Sequence, residues 1–138
     1  MERAVRAVRA IRYCTADMRK NIISYKDLIV WQKSIDLAVA VYTLTDHFPQ
    51  DEKFGLASQM RRAAVSISSN IAEGKSRNSK KEYSHFVRIS YGSASELETQ
   101  IIISKKLTFS DKLDYSEVDS LLLEVLKMLG TILSKLKT

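Results

Sequence analysis

The sequence contains little cysteine, proline or glycine: one, one and four residues, respectively, among 138. The single cysteine, Cys14, excludes a disulfide framework and a zinc site built from several cysteines, and we expect it to be inert. So little glycine and proline leaves too few turns for a many-stranded β fold. No stretch approaches the roughly 20 apolar residues that cross a membrane, and no continuous apolar segment follows the N-terminal arginines as in a signal peptide. These absences favour an all-α protein in the reducing environment of the cytoplasm.

Apolar residues, by contrast, are plentiful and make up 45% of the chain. A chain of this length buries roughly two-thirds of its unfolded surface, so one apolar core can hold the fold without metal or disulfides. Length and composition therefore indicate one ordered domain, and they exclude collagen-like and low-complexity sequences.

The first 20 residues differ from the rest of the chain. Arg3, Arg6, Arg9 and Arg12 recur every three residues. A step of three slips about 60° around an α-helix, so this pattern leaves no fixed apolar stripe. Six basic and two acidic residues give this segment four of the six net positive charges of the chain. We expect residues 1–20 to be a basic tail outside a domain of residues 21–138, either as an arm or as an extension upstream of a start at Met18.

Two apolar stripes at helical spacing predict a first helix over residues 27–48, with Asp27 as its N-cap and Pro49 ending it. One stripe is enough for a bundle core, so the second stripe predicts that another surface also covers this helix. The first stripe consists of Trp31, Ile35, Ala38, Tyr42 and Thr45, and the second of Leu37, Val41, Leu44 and Phe48.

Three further helices are predicted. The second covers residues 51–74, and we expect Gly74 to cap its C-terminus in the left-handed conformation. The third begins at the capping box of Ser79 and Glu82 and continues to about residue 107. Gly92 interrupts it at a cost of roughly 1 kcal/mol, which predicts close contact with another helix there. The fourth covers residues 116–137. Four helices of about 20 residues with short connections predict an antiparallel up-and-down four-helix bundle.

Little in the sequence indicates catalysis or metal binding. Glu82 and His85 have the i, i+3 spacing of a bundle metal site, but no second copy of the motif occurs around His47. The segment Gly74-Lys75-Ser76 resembles the end of a phosphate-binding loop but follows a predicted helix rather than a strand. We therefore predict a protein that is not an enzyme, with no catalytic residue, no metal, no cofactor and no small-molecule substrate.

Basic residues of the second and third helices are the remaining candidates for function. Such a cluster can neutralise backbone phosphates, which gives a salt-dependent affinity for nucleic acid. A helix N-terminus at residues 80–81 adds to the attraction for phosphate. The alternative is a solvated face on which the cations pair with nearby glutamates. The candidate nucleic-acid-binding residues are Arg61, Arg62, Lys75, Arg77, Lys80, Lys81 and Arg88.

Several segments resemble one bacterial family. They are the run from Asp27 to Lys33, the pair Phe48-Pro49, the run from Gln59 to Gly74, and Gly92-Ser93 followed by Glu96-Leu97-Glu98. In these segments the chain is similar to the four-helix bundle proteins encoded within intervening sequences of 23S ribosomal RNA genes. The resemblance covers about residues 24–136. It departs at Ser68, where many members have proline, and residues 1–17 have no counterpart.

The resemblance implies a bundle that assembles into a ring, with a homopentamer as the expected form. It also implies an association with ribosomal or intervening-sequence RNA. A related group serves reverse transcriptases of diversity-generating retroelements as an accessory, which implies a scaffold for RNA and protein. No catalytic residue is implied. A ring would give the second apolar stripe a partner, so we expect Leu37, Val41 and Leu44, or the stripe of Trp31, to face a neighbouring subunit.

Two functions follow from these observations. The first is a non-enzymatic, ring-forming bundle that binds structured RNA through phosphate contacts of the seven basic residues. The second is a protein-interaction scaffold or accessory factor that does not bind RNA directly.

Overall fold

A computed structural model describes residues 24–137, and the predicted basic tail, including Cys14, lies outside this range. Within it the chain is all-α, with four long helices and no strand, as the apolar periodicity predicted. The helices are α1 (Ile29–Asp46), α2 (Leu56–Ser76), α3 (Lys80–Lys105) and α4 (Ser116–Leu136). Short 3-10 turns at Tyr25–Asp27, Gln50–Glu52 and Thr108–Lys112 precede α1, α2 and α4.

Each long helix packs against its neighbours in the chain, and α4 also packs against α1, so the four surround one core. The contact between α2 and α3 is the most extensive. There the Ser90 hydroxyl donates to the carbonyl of Ile67 over 2.9 Å, and the hydroxyls of Ser66 and Ser93 lie 2.9 Å apart. Small side chains let these two helices approach closely enough for such direct bonds.

The start of α1 differs from the prediction in one respect. Asp27 does not cap the long helix but belongs to the 3-10 turn before it. Its carboxylate accepts from the backbone N–H of Ser24 over 3.2 Å, while the Ser24 hydroxyl accepts from the N–H of Lys26 over 3.2 Å. This reciprocal capping box precedes α1, which begins after the extended residue Leu28 without a side-chain cap.

The prediction that Gly74 caps α2 in the left-handed conformation is wrong. Gly74 lies inside α2, which continues to Ser76, and the residue with positive φ in the connection is Asn78, at 55°. A Cβ added to Gly74 would lie 2.6 Å from the Cβ of Phe86 and 3.3 Å from the ring of Tyr83. Glycine is therefore required by the close approach of α3, not by a left-handed backbone.

The prediction for Gly92 is also wrong. A Cβ added to Gly92 meets no atom within 4 Å among residues 24–137, and Gly92 itself is exposed. The close contact between the helices lies instead one residue further along the chain, at Ser93, and at Ser90. Since a helix turns about 100° per residue, Gly92 points away from α2 although its neighbour points towards it.

The proposed subunit contacts of α1 need a correction. Leu37 and Val41 are fully buried and Leu44 nearly so, because they form the core face of α1 within a single chain. They cannot face a neighbouring subunit unless the bundle opens. The other stripe is only partly covered. Trp31 packs edge-on against Tyr25 with ring centroids 5.4 Å apart, and Tyr42 keeps 44% of its surface exposed.

Candidate nucleic-acid interface

The seven predicted basic residues do not form one cluster. Arg61 and Arg62 lie near the start of α2, whereas Lys75 and Arg77 lie at its end, beside Lys80 and Lys81. Lys75 lies fourteen positions after Arg61 on the same helix, which separates the two groups by about 21 Å. Arg88 lies on α3 about two turns beyond Lys81 and is exposed. The structure therefore separates the cations into two groups, one at each end of α2, and places Arg88 on α3.

Arg61 is engaged in holding α2 to α1. Its Nε donates to the hydroxyl of Thr45 over 2.8 Å, and its Nη2 lies 2.8 Å from a carboxylate oxygen of Asp46. The guanidinium also lies 4.5 Å from the centre of the Tyr42 ring, within range of a cation–π contact. These contacts hold the Arg61 side chain against α1 and pair its charge with Asp46, so the ion-paired alternative describes Arg61 within this chain.

Arg62 has a different environment. It is exposed and forms no ion pair or hydrogen bond within residues 24–137. Its side chain lines a groove of about 560 Å³ beside Lys53 and Phe54, which belong to the turn before α2. The complete lining is Tyr42, Lys53, Phe54, Ser58, Arg61, Arg62, Val65 and Ser66. We call this the Phe54 groove.

Arg77 is paired with two glutamates. Its Nη2 lies 2.6 Å and its Nε 3.1 Å from Oε1 of Glu73, and Oε1 of Glu82 lies 4.0 Å from Nη1. The hydrogen bond to Glu73, and then the charge of Glu73, raise the pKa of Arg77 above its ordinary value. The guanidinium also lies 5.4 Å from the centre of the Phe86 ring. At Arg77 the structure therefore agrees with the alternative interpretation, in which the cations pair with nearby glutamates.

The Lys75 and Lys80 side chains line a second groove, of about 630 Å³, at the turn between α2 and α3. Lys75 Nζ lies 5.6 Å from the centre of the Tyr83 ring. Burial raises the pKa of the Tyr83 phenol above its ordinary value. The Ser79 hydroxyl accepts from the backbone N–H of Glu82 over 3.3 Å, as the predicted N-cap of α3. Other lining residues are Ser24, Tyr25, Gly74, Ser76, Asn78, Ser79 and Leu136.

Four of the seven predicted cations thus stay without an ion pair or stacked ring inside the described part of the chain. They are Arg62, Lys80, Lys81 and Arg88, and all four are exposed or partly exposed. The prediction did not include Lys53 and Phe54, which line the groove beside Arg62. The adjacent lysine and aromatic residue in a turn just after Pro49 could have drawn attention to them, because an aromatic residue in a polar turn has no core to join.

Residues 24–137 hold no group of three or more histidine, cysteine, aspartate or glutamate side chains that could bind a metal ion. Glu82 and His85, the pair with metal-site spacing, point to other neighbours: Glu82 towards Arg77, and His85 edge-on against Phe86 at 5.3 Å. Over the same range, no helix combines the length and apolarity needed to span a membrane.

By its fold, the protein belongs to the class of four-helix, all-α proteins. A crystal structure of a protein of unknown function, from the S23 ribosomal protein family of Bacteroides thetaiotaomicron VPI-5482, superposes on it with a TM-score of 0.64. The two are 23% identical over 75% of this chain and 97% of the other, a likeness that shows the fold. The chain belongs to the 23S rRNA-intervening sequence protein family, whose model matches residues 26–131. No curated protein matches it.

Proposed function

We propose that this protein is a non-enzymatic, cytoplasmic RNA-binding protein that contacts the phosphates of structured 23S ribosomal or intervening-sequence RNA. The observation that carries the proposal is that four of the seven predicted cations are exposed and without an ion pair within residues 24–137: Arg62, Lys80, Lys81 and Arg88. Accessible cations left unpaired are available to replace the counterions of a nucleic acid. The name of the family supplies the class of RNA.

The proposed functional unit is a ring of antiparallel up-and-down bundles, with five copies as the expected number. The partly exposed stripe of α1 supports an interface between copies. Trp31, Ile35 and Ala38 are half-buried, and beside them Val39 is 62% exposed. A head-to-tail contact on this face would close into a ring and bury the apolar surface. A ring also multiplies the net charge of +6, which strengthens the attraction for RNA.

Salt-dependent binding to an intervening-sequence RNA hairpin tests the RNA proposal. For the wild-type protein we expect the logarithm of the association constant to fall linearly with the logarithm of salt concentration. The double variant Lys80→Gln, Lys81→Gln should reduce that slope by about 0.9 for each phosphate that the protein no longer neutralises. Lys112→Gln, Lys127→Gln is the matched control, because both are exposed lysines outside the predicted set and their removal changes the charge equally. An identical slope in all three proteins would contradict phosphate contacts at the start of α3.

A version that lacks residues 1–17 separates the domain from its basic N-terminal segment. Unchanged binding assigns RNA affinity to the bundle, whereas loss of binding assigns it to the removed arginines. Sedimentation of the same samples tests the ring: a monomer at every concentration would refute it, and a variant Val39→Asp should dissociate the assembly if α1 forms the interface.

A protein-interaction scaffold is the second candidate. Arg61 and Arg77, two of the seven predicted phosphate ligands, are already paired with carboxylates of the same chain. If the bundle binds no RNA at moderate salt, its exposed apolar residues, such as Ile102 and Leu123, are the surface to test against protein partners.

A further inference from the structure

Phe54 is the most exposed large apolar side chain of the described residues, with 88% of its surface accessible. It lies in the turn between Gln50–Glu52 and α2, so it contributes nothing to the core. Scattered exposed apolar residues are ordinary on protein surfaces. This ring, however, projects beside a groove lined by cations, and aromatic side chains in basic grooves are where the bases of single strands stack.

Three cations line the groove beside Phe54, and two of them, Lys53 and Arg62, have no ion pair within residues 24–137. Lys53 Nζ lies 5.7 Å from the centre of the Phe54 ring, and Arg62 is exposed on α2, which begins directly after this turn. Arg61 lies on the ring of Tyr42, at the far side of the groove. No aspartate or glutamate lines the groove, and the nearby carboxylate of Asp46 is taken by Arg61. A partner for this site must therefore bring negative charge and a flat surface for the ring.

We propose that the Phe54 groove binds an unpaired nucleotide of a single-stranded RNA segment, with the base stacked on Phe54 and the flanking phosphates at Lys53 and Arg62. The inference rests on the proposed RNA-binding function and adds to it the kind of RNA structure that this groove takes. Every nucleotide carries an anionic phosphate, which can pair with the cations of the groove, and an aromatic base, which can stack on Phe54. Base stacking on aromatic side chains beside a basic groove is how proteins bind single strands without sequence preference. The volume of about 560 Å³ is within the range of small-ligand sites.

Binding of a uridine 12-mer, compared with a blunt RNA duplex of equal charge, tests the inference on the full chain. Phe54→Leu should weaken binding of the single strand about 10-fold and leave duplex binding within twofold, because a base inside a duplex cannot stack on the ring. Phe54→Tyr should bind the single strand with the affinity of the wild type, because tyrosine keeps an aromatic ring at this position. Tyr91→Leu is the matched control, since Tyr91 is also exposed but lies on α3 away from the groove.

Two further measurements identify the contacts themselves. Arg62→Gln should lower the salt slope for the single strand by about 0.7, the value for one phosphate contact in single-stranded nucleic acid. A uridine 12-mer that carries one 5-iodouridine, irradiated in the complex, should crosslink to the peptide that contains Phe54. A crosslink confined to other peptides would overturn the assignment.

The remaining outcomes separate this inference from the proposed function. Equal weakening of single-strand and duplex binding by Phe54→Leu would exclude stacking. Duplex binding without single-strand binding would leave RNA binding intact and refute the Phe54 groove. A change in sedimentation with unaltered RNA affinity would make Phe54 part of an interface between copies and overturn the proposal. Failure to bind either RNA would refute the proposed function and this inference together.

Discussion

Alanine substitutions at Gly74 and Gly92 should have opposite effects on stability. Both glycines lie inside long helices, where replacing glycine by alanine contributes up to about 1 kcal/mol to helix stability. At Gly92 the new methyl group meets no atom within 4 Å in the described part of the chain. We therefore expect Gly92→Ala to raise the free energy of unfolding by about 0.5–1 kcal/mol.

The same methyl group at Gly74 enters occupied space. It would lie 2.6 Å from the Cβ of Phe86, an atom attached directly to the backbone of α3 that cannot rotate away. Carbon atoms pack at about 3.5–4.0 Å, so α2 and α3 must separate locally by about 1 Å. That displacement opposes the close packing of α2 and α3, which the hydrogen bond from Ser90 to Ile67 also holds about two turns away along α2. Overpacking of this kind costs typically 1–3 kcal/mol, which exceeds the gain in helix propensity.

Urea unfolding followed by circular dichroism at 222 nm measures both effects. At equal protomer concentration, we expect Gly74→Ala to unfold at a lower urea midpoint than the wild type and Gly92→Ala at a higher one, with unchanged slopes. In thermal unfolding, each 1 kcal/mol corresponds to about 3–4 °C for a chain of this size. A Gly74→Ala variant as stable as Gly92→Ala would refute the close approach of α2 and α3 at that residue.

Three other perturbations follow from single contacts. Arg61→Ala should lower the free energy of unfolding by about 1–2 kcal/mol, chiefly through the partly buried bond to Thr45, because Asp46 is largely exposed. Arg61→Lys should not restore the free energy of unfolding, measured in the same urea titration, because lysine lacks the planar guanidinium that contacts Thr45 and Asp46 together. Burial raises the pKa of Tyr83, so the folded state holds that proton longer and stability should fall as pH rises above about 10. Tyr83→Phe should reduce this alkaline loss, and a loss identical to the wild type's would contradict the burial argument. Hydrogen bonds from Ser116 lower the pKa of Asp114, so the stability that they contribute is present at neutral pH and lost as pH falls below about 4. Asp114→Ala should therefore destabilise the protein at pH 7 but not at pH 2, as measured by thermal unfolding.

The candidate site was predictable only in part. Lysine and arginine are easily found in a sequence, and the exposure of Arg62, Lys80, Lys81 and Arg88 agrees with their polar character. Which cations remain unpaired depends on side chains that approach from elsewhere. Arg61 meets residues of α1 some 15 positions away, and no local pattern predicts that contact. The ion pair of Arg77 is easier to predict from the sequence, because Glu73 lies one helical turn earlier on the same helix.

The sequence by itself determined that this chain forms four helices and where they begin and end to within two residues, except at the start of α2, which was predicted at residue 51 and lies at Leu56. Helical periodicity, the N-cap at Ser79 and the proline at residue 49 act over one or two turns, so they can be read without knowledge of the fold. Only the tertiary structure decided which stripe of α1 enters the core and which glycine lies against another helix. Two stripes of equal spacing look alike in one dimension, and a difference of one residue rotates a side chain by about 100°. The packing of α2 and α4 against α1 buries Leu37 and Val41 and leaves Tyr42 at the surface, and the packing of α3 against α2 leaves no space at Gly74 and open space at Gly92.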